Sequence, residues 1–527
     1  MTNRVAFVLA VLLAVPSYGQ IGEQPAVGEH VNQSAIESGE MSLAELFDLG
    51  QVLFEARFNR LDGQGRPGTT GGGDPREPDE PAFIRTSSPD SNSCGGCHAQ
   101  PRPGGAGDFV ANVFVLAQTL DPVTSSVDAE FSNERNTLGM MGAGPIEMLA
   151  REMTNELIAI REAARAEATE SGLSITRALI AKTVSFGFIT VLADGTVDPS
   201  AIAGVDWDLI IKPFHQKGAV VSLREFTNNA MNHHHGMQSV ERFGEDIDPD
   251  ADGVVNELTV GDITAVTLFQ AALNTPGRGI PAGFQEEVEE GEQLFGTIGC
   301  TTCHIPALTL DERNFTEPNP FNPAGNLQLD DVSQAFSFDM TAEGPAPRPE
   351  RTSDRGAIVR AFTDLKRHNL NDEELGFFAN EQVPQGTLNG FAPESDFTME
   401  SLPRPTNEFL TRKLWDVGNT GPYGHRGDLT TITDAIFFHG GEARASRDAF
   451  FALPQVEQDK VIEFLKTLQV VPDGSALVTI TGEIDQPNVG PMCGVLGMLP
   501  LVMIFGAMIL MRLTVHRSFR GTHAAHS

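Results

Sequence analysis

The sequence predicts a mainly α-helical fold: two helix-rich units in tandem, followed by an apolar helix near the C-terminus. Three observations predict it. A helix-like stretch leading into Cys-x-x-Cys-His occurs twice. Residues 146–179 are rich in Glu, Arg, Ala and Leu, the composition of surface helices. Residues 487–511 carry no charge, which is the length and character of a bilayer span.

Taken in order, Arg4 precedes a short apolar run that ends in small residues at Ser17 and Gly19. That pattern reads as a cleaved signal peptide over 1–19. Residues 20–40 are polar and read as a flexible leader. Leu43, Leu46, Phe47, Leu49, Gly50, Leu53 and Phe54 then recur at helical spacing. A Gly/Pro-rich stretch over 62–89 leads to Cys94-Gly95-Gly96-Cys97-His98. The same order returns with Gly291, Leu294 and Phe295 ahead of Cys300-Thr301-Thr302-Cys303-His304. Gly50 precedes Cys94 by 44 positions and Gly291 precedes Cys300 by 9, so the first copy carries 35 extra residues. Two copies of one unit place a first domain at 42–285 and a second at 286–472. Between them, 189–197 is rich in β-branched residues and reads as a hairpin around Asp194-Gly195. Residues 387–405 read as irregular loop and 473–488 as a linker. Residues 456–468 form a last amphipathic helix, with Val461, Phe464, Leu465 and Leu468 on one side.

Composition narrows the function. The 527 residues include 71 acidic and 36 basic side chains, a formal charge of −35. Such a surface repels phosphate backbones, which excludes nucleic acid as a partner and favours a basic one. Four of the five cysteines sit in the two pentads, so no disulfide framework is available. Arg512, His516, Arg517 and Arg520 follow the apolar segment. They predict a single-pass anchor with its tail in the cytoplasm and the body on the periplasmic face of the inner membrane. Cys493 and Gly494 leave a second reading open, a processed C-terminal sorting signal.

The pentads carry the chemistry. Two thiols at this spacing form thioethers with the two vinyl groups of a haem, and the adjacent imidazole reaches the iron from the same side. Two copies predict two covalently bound haems c: Cys94, Cys97 and His98 hold one, and Cys300, Cys303 and His304 the other. The units then read as two cytochrome c-like haem domains. The far ligand decides whether a haem carries electrons or activates a small molecule. The candidates are His215, His233-His234-His235 with Met237, His368, His425 and His439, with His235, His368 and His425 foremost. Met140, Met141, Met148 and Met153, at helical spacing, read as core packing.

Several further motifs resemble the di-haem oxidoreductase family, peroxidase-like proteins within the superfamily of bacterial di-haem cytochrome c peroxidases. They are Ser93-Cys94-Gly95-Gly96-Cys97-His98, Arg135-Asn136-Thr137 through Gly144-Pro145-Ile146-Glu147, and Asn274-Thr275-Pro276-Gly277-Arg278-Gly279. They continue with Cys300-Thr301-Thr302-Cys303-His304-Ile305-Pro306 and Phe362-Thr363-Asp364-Leu365-Lys366-Arg367-His368. The last runs from Leu414-Trp415 through His425-Arg426-Gly427 to His439-Gly440-Gly441-Glu442-Ala443. The resemblance covers roughly 42–470. It implies an oxidoreductase that reduces hydrogen peroxide with electrons from an external donor protein, such as a basic cytochrome or a cupredoxin. A carrier cytochrome and an oxidase of a protein or organic substrate are the alternatives. Glu147 falls at the family's Gly-x-Gly-Leu-x-Glu position, with Pro145 replacing the leucine, and is the candidate acid/base; Arg135 is its electrostatic support. The chain departs from the family at His368-Asn369-Leu370-Asn371, where His-Asp-Met-Gly is usual, and so lacks a candidate methionine ligand. His425-Arg426-Gly427 replaces His-Asp-Gly.

One motif stands apart. Asp248, Asp250 and Asp252, with Gly253 and Asn256, follow the alternate-carboxylate pattern of a calcium loop. Thr259 occupies the twelfth position, so Glu257 or Asp262 would have to supply the missing ligand.

Overall fold

The computed structural model describes residues 23–65, 91–108, 110–112, 134–248, 252–374 and 407–481. The signal peptide, the loop at 387–405, Asp250 and the segment 487–511 lie outside the described residues. The chain divides into one large unit, Met1–Ile280 with Gln285–Thr479, and a small one, Pro281–Phe284 with Ile480–Ser527. Within the small unit Ala282 N donates to Thr481 O at 2.7 Å. Both pentads belong to the large unit.

Two helix pairs organise the large unit, and each is built from a sequence repeat. In the first, Leu43–Glu55 packs on Val260–Ala272. Ser42 and Glu45 form a capping box at the start of one helix, and Thr259 and Asp262 do the same for the other. The pair crosses at Gly50, where a Cβ would stand 2.1 Å from Ala265 O. In the second, Gln285–Thr297 packs on Gln455–Thr467, and a Cβ on Gly291 would stand 2.0 Å from Lys460 O. Only glycine permits either crossing. Phe54 meets Phe269 at 5.1 Å between ring centroids, and Phe295 meets Phe464 at 5.5 Å. Each pair has its own apolar cluster. The larger takes in the first pair and the middle of the chain, and the smaller gathers Val288, Phe295, Phe362, Phe450, Val461 and Phe464.

The mainly α expectation is corrected. Among the described residues, six sheets of two or three strands lie among the helices. Residues Ile175–Ala181, at the end of the stretch expected to be helical, pair antiparallel with Val184–Val191. The expected turn at Asp194-Gly195 links that strand to Val197–Asp198, with Leu192 N donating to Thr196 O at 2.8 Å. Between the second pentad and His368 the chain forms short pairs such as Asn314–Glu317 with Phe336–Asp339. These strands are three or four residues long, too brief for an alternating pattern to be read. No helix among the described residues is long and apolar enough to cross a membrane, and the expected span at 487–511 lies outside them.

The leader is not flexible where it is described. Val27 N donates to Asp62 Oδ1 at 3.0 Å, Val31 N to Asp262 Oδ1 at 2.8 Å, and Ile36 is buried. The helix Ala143–Ser171 is a single element of 29 residues. Its first half is core, with Met148, Leu149 and Met153 buried beside Met141. The methionines pack as expected.

Candidate functional site

Each pentad closes a single helical turn. His98 N donates to Cys94 O at 2.9 Å, and His304 N to Cys300 O at 3.0 Å. The turn returns the imidazole over the two thiols. A phenylalanine from the preceding helix then packs on it: Phe54 lies 6.3 Å from His98 and Phe295 6.3 Å from His304, each at 50°. The two settings are copies.

The donor chemistry fits haem c. All four pentad cysteines are unbridged. Burial pushes the Cys94 and Cys300 thiols up to about 12, the reverse of the lowered values that redox or thiolate sites require. Burial pushes His98 and His304 down to about 4, so each imidazole is neutral and able to ligate a metal. Each keeps partial solvent contact, as a ring does when it lines a hollow. His304 Nδ1 donates to Phe362 O at 3.0 Å, which leaves Nε2 as the ligating nitrogen. The backbone of Gly105 and of Leu138 faces the His98 ring and opposes the effect of burial.

Around the first pentad, Phe226 lies 6.2 Å from His98 on the side of the helix Leu223–His233. His235 reaches Ser91 O through Nδ1 at 2.8 Å and Cys94 Sγ through Nε2 at 3.3 Å. It therefore stands beside an attachment thiol. Glu147 is fully buried near the start of Ala143–Ser171. It accepts from Leu223 N at 2.7 Å, from Asn319 Nδ2 at 2.8 Å and from Arg151. Its charge partner is thus Arg151, one turn along the same helix. Arg135 lies in the strand Glu134–Asn136, with its backbone opposite Ala111. The Glu147 pair continues into a buried ionic cluster. Arg151 lies 4.0 Å from Glu317, and Arg224 bonds Glu317 at 2.5 Å and also Glu241. Burial raises the Glu317 carboxyl, with Glu147 adding to the rise and Arg224 opposing it. Composition alone could not reveal this cluster, because its members come from four separate segments.

Around the second pentad, His368 is caught between two carboxylates, Nδ1 to Glu442 at 2.8 Å and Nε2 to Asp364 at 2.9 Å. Burial opposes protonation here, but Asp364, Cys303 and Glu442 outweigh it and hold the ring up to about 11. Both nitrogens are engaged, so His368 as placed offers none to iron. Cys303, Asp364 and His368 bring donor atoms within 4.8 Å of one another. A thioether at Cys303, as the pentad predicts, would remove it as a ligand for any other metal. His439 lies 6.5 Å from His304, ring to ring. His425 sits elsewhere. Its Nδ1 is 2.6 Å from Gln216 Oε1, and its carbonyl accepts from Asn136 N at 3.0 Å. The His425 loop is therefore tied to the Arg135-Asn136-Thr137 motif, which precedes Glu147.

The candidate calcium loop turns its carboxylates on itself. Asp248 accepts from Asp252 N and Gly253 N, and Asp252 accepts from Val254 N. Glu257 accepts from Gln238 N at 2.7 Å, and Asp262 serves His30, Val31 and Thr259. Neither is available as the missing ligand.

Residues 395–468 match a family model described as "Di-haem oxidoreductase, putative peroxidase". The resemblance is to the di-haem oxidoreductases. The matched stretch holds Trp415, His425, His439, Glu442 and the closing helix of the second pair. Segment 412–417 bears on both settings: the charge of Arg412 acts on His98, while Leu414 and Val417 pack on the second apolar cluster. No curated protein sequence matches. Among solved structures, hydrazine synthase of Kuenenia stuttgartiensis is 14% identical with a TM-score of 0.33, covering 89% of this chain and 100% of its own. A MauG-like protein associated with microbial copper homeostasis is 16% identical with a TM-score of 0.26, covering 54% and 79%. Both scores are too low to argue a shared fold.

Proposed function

We propose that this di-haem oxidoreductase is an exported enzyme with two covalent haems c. It reduces hydrogen peroxide to water with electrons from an external one-electron donor protein. The observation that carries the reading is the duplicated pentad setting within one compact unit. Reduction of peroxide (H2O2 + 2 H⁺ + 2 e⁻ → 2 H2O) needs two electrons, and two redox groups in one chain can hold both. Haem at the pentads supplies those electrons and an iron position at which peroxide can bind.

The residues divide the remaining work. Cys94, Cys97, Cys300 and Cys303 attach the groups, and His98 and His304 offer neutral Nε2 atoms to the metal. Glu147 handles the proton at its carboxylate oxygens, with Arg151 as charge partner. Arg151 and Asn319 donate to its Oε1 and Leu223 N to its Oε2, which leaves a lone pair on Oε2 for a proton. Phe226 sets an apolar ring beside His98. A formal charge of −35 favours a basic donor. Calcium is not part of this reading, because Glu257 and Asp262 are engaged elsewhere.

A carrier with both haems six-coordinate would need a histidine or methionine as far ligand opposite His98. Among the described residues, the rings packed on His98 are Phe54 and Phe226, and the charge of His234 also acts on it. Stopped-flow mixing of the reduced protein with peroxide tests the proposal. Two electrons should be consumed per peroxide, with reoxidation faster than in air alone. A reduced protein indifferent to peroxide would hand the site to the carrier or substrate-oxidase reading.

A further inference from the structure

We infer that His439 is the second axial ligand of the haem held by His304. The inference rests on the di-haem reading above and adds to it which haem is closed. The two ring centroids lie 6.5 Å apart. A metal–imidazole bond is about 2.0 Å long, and the ring centre lies about 1.1 Å behind the nitrogen. Two imidazoles sharing one ion axially therefore have centroids about 6.3 Å apart. Packed rings also occur at such separations, so the distance needs support from the orientation of the nitrogens.

The hydrogen bonds fix which nitrogen of each ring is left to ligate. His304 Nδ1 meets Phe362 O at 3.0 Å, and His439 Nδ1 meets Ala435 O at 2.7 Å. A carbonyl accepts only, so both Nδ1 atoms carry the proton and both Nε2 atoms present a lone pair. A carbonyl behind a ligating histidine is the usual outer-shell arrangement for fixing tautomer and ring orientation.

The fold also holds His439 in place. His439 N donates to Ile436 O at 3.1 Å, at the end of the helix Ile432–Phe437, and Gly440 N donates to Leu370 O at 3.1 Å. Glu442 then accepts from Asn369 N at 2.8 Å. Leu370, on that neighbouring segment, has no ligand atom, and both nitrogens of His368 are taken by carboxylates. His439 is the side chain left in position to close the site. An iron held by two imidazoles exchanges electrons but has no place for a small molecule. The haem at His98 is then the one that meets peroxide.

The test uses the full chain carrying its haems, with haem content measured alongside. Near-infrared magnetic circular dichroism and EPR of the oxidised parent should show one low-spin haem with two nitrogen ligands. His439→Ala should retain two haems, lose that low-spin signal and gain a high-spin one, and added imidazole should restore the low-spin signal. His368→Gln should leave it in place. A parent without a bis-imidazole haem overturns the assignment, even if the variant does not fold. So does a His439→Ala protein with two haems and unchanged spin states. Fewer than two haems in the parent would instead indict the di-haem reading.

Discussion

The two pentad settings share a scaffold and differ in what faces it. On the shared side, a glycine crossing, a phenylalanine on the imidazole and a one-turn pentad recur with nearly equal distances. On the other side, the first has Phe226 and the buried cluster of Glu147, Arg151, Glu317, Arg224 and Glu241. The second has His439 and the Asp364–His368–Glu442 triplet. On the proposed reading the repeat would hold the metal, and the segments between its parts would set what each metal can do.

The largest effect should come from breaking the shared part. Gly50→Ala and Gly291→Ala each drive a methyl group to about 2 Å from a backbone oxygen of the partner helix. Overpacking of this kind costs typically about 1–3 kcal/mol and more where backbone must move. Thermal melts should show both variants strongly destabilised, by similar amounts, with haem loss confined to the altered unit. If one glycine tolerates the change and the other does not, the two crossings are not equivalent.

The next effects should fall on one setting only. Glu147→Gln keeps an oxygen for Leu223 N but removes the proton site. Proton transfer by a placed carboxylate contributes about two to four decades in rate. Peroxide turnover should drop by that amount with both haems attached and the second haem's spectrum unchanged. Turnover at the parent rate would leave Glu147 as the residue that holds the start of the Leu223–His233 helix, and nothing more.

Much of this comparison was legible in the sequence, and the reasons are physical. The pentads and the Gly-x-x-Leu-Phe stretches could be read because covalent chemistry and a tight helix crossing each demand fixed residue types at fixed spacing. The closing helix of the second pair could be read from its one-sided apolar stripe at Val461, Phe464 and Leu465. Its counterpart Val260–Ala272 could not, because Gly261–Ala272 are all buried and the helix has no polar face to mark its period. The short strands escaped for want of length, and the leader because its docking depends on two distant aspartates, Asp62 and Asp262. His368 and His439 were both visible as candidates. Only the carboxylates around one and the carbonyl behind the other tell them apart.

The smallest predicted effect concerns that leader. His30 Nδ1 lies 2.7 Å from Asp262, which raises the histidine pKa against the opposing effect of burial. A raised folded pKa stabilises fully below the unfolded value and is lost as pH rises through the folded one. Stability should therefore decline modestly as pH climbs above neutrality, and His30→Ala should flatten that part of the profile. An unchanged profile in the variant would remove this contact from the pH response.

The central claim is that two equivalent pentads each carry a covalent haem, and counting haems tests it most directly. A pyridine haemochrome measurement on acid-extracted, denatured protein should give two haems c per chain. Cys97→Ala and Cys303→Ala should each weaken or remove one attachment and leave the other. One haem per chain in the parent, or haem extracted by acidified solvent, would contradict the account.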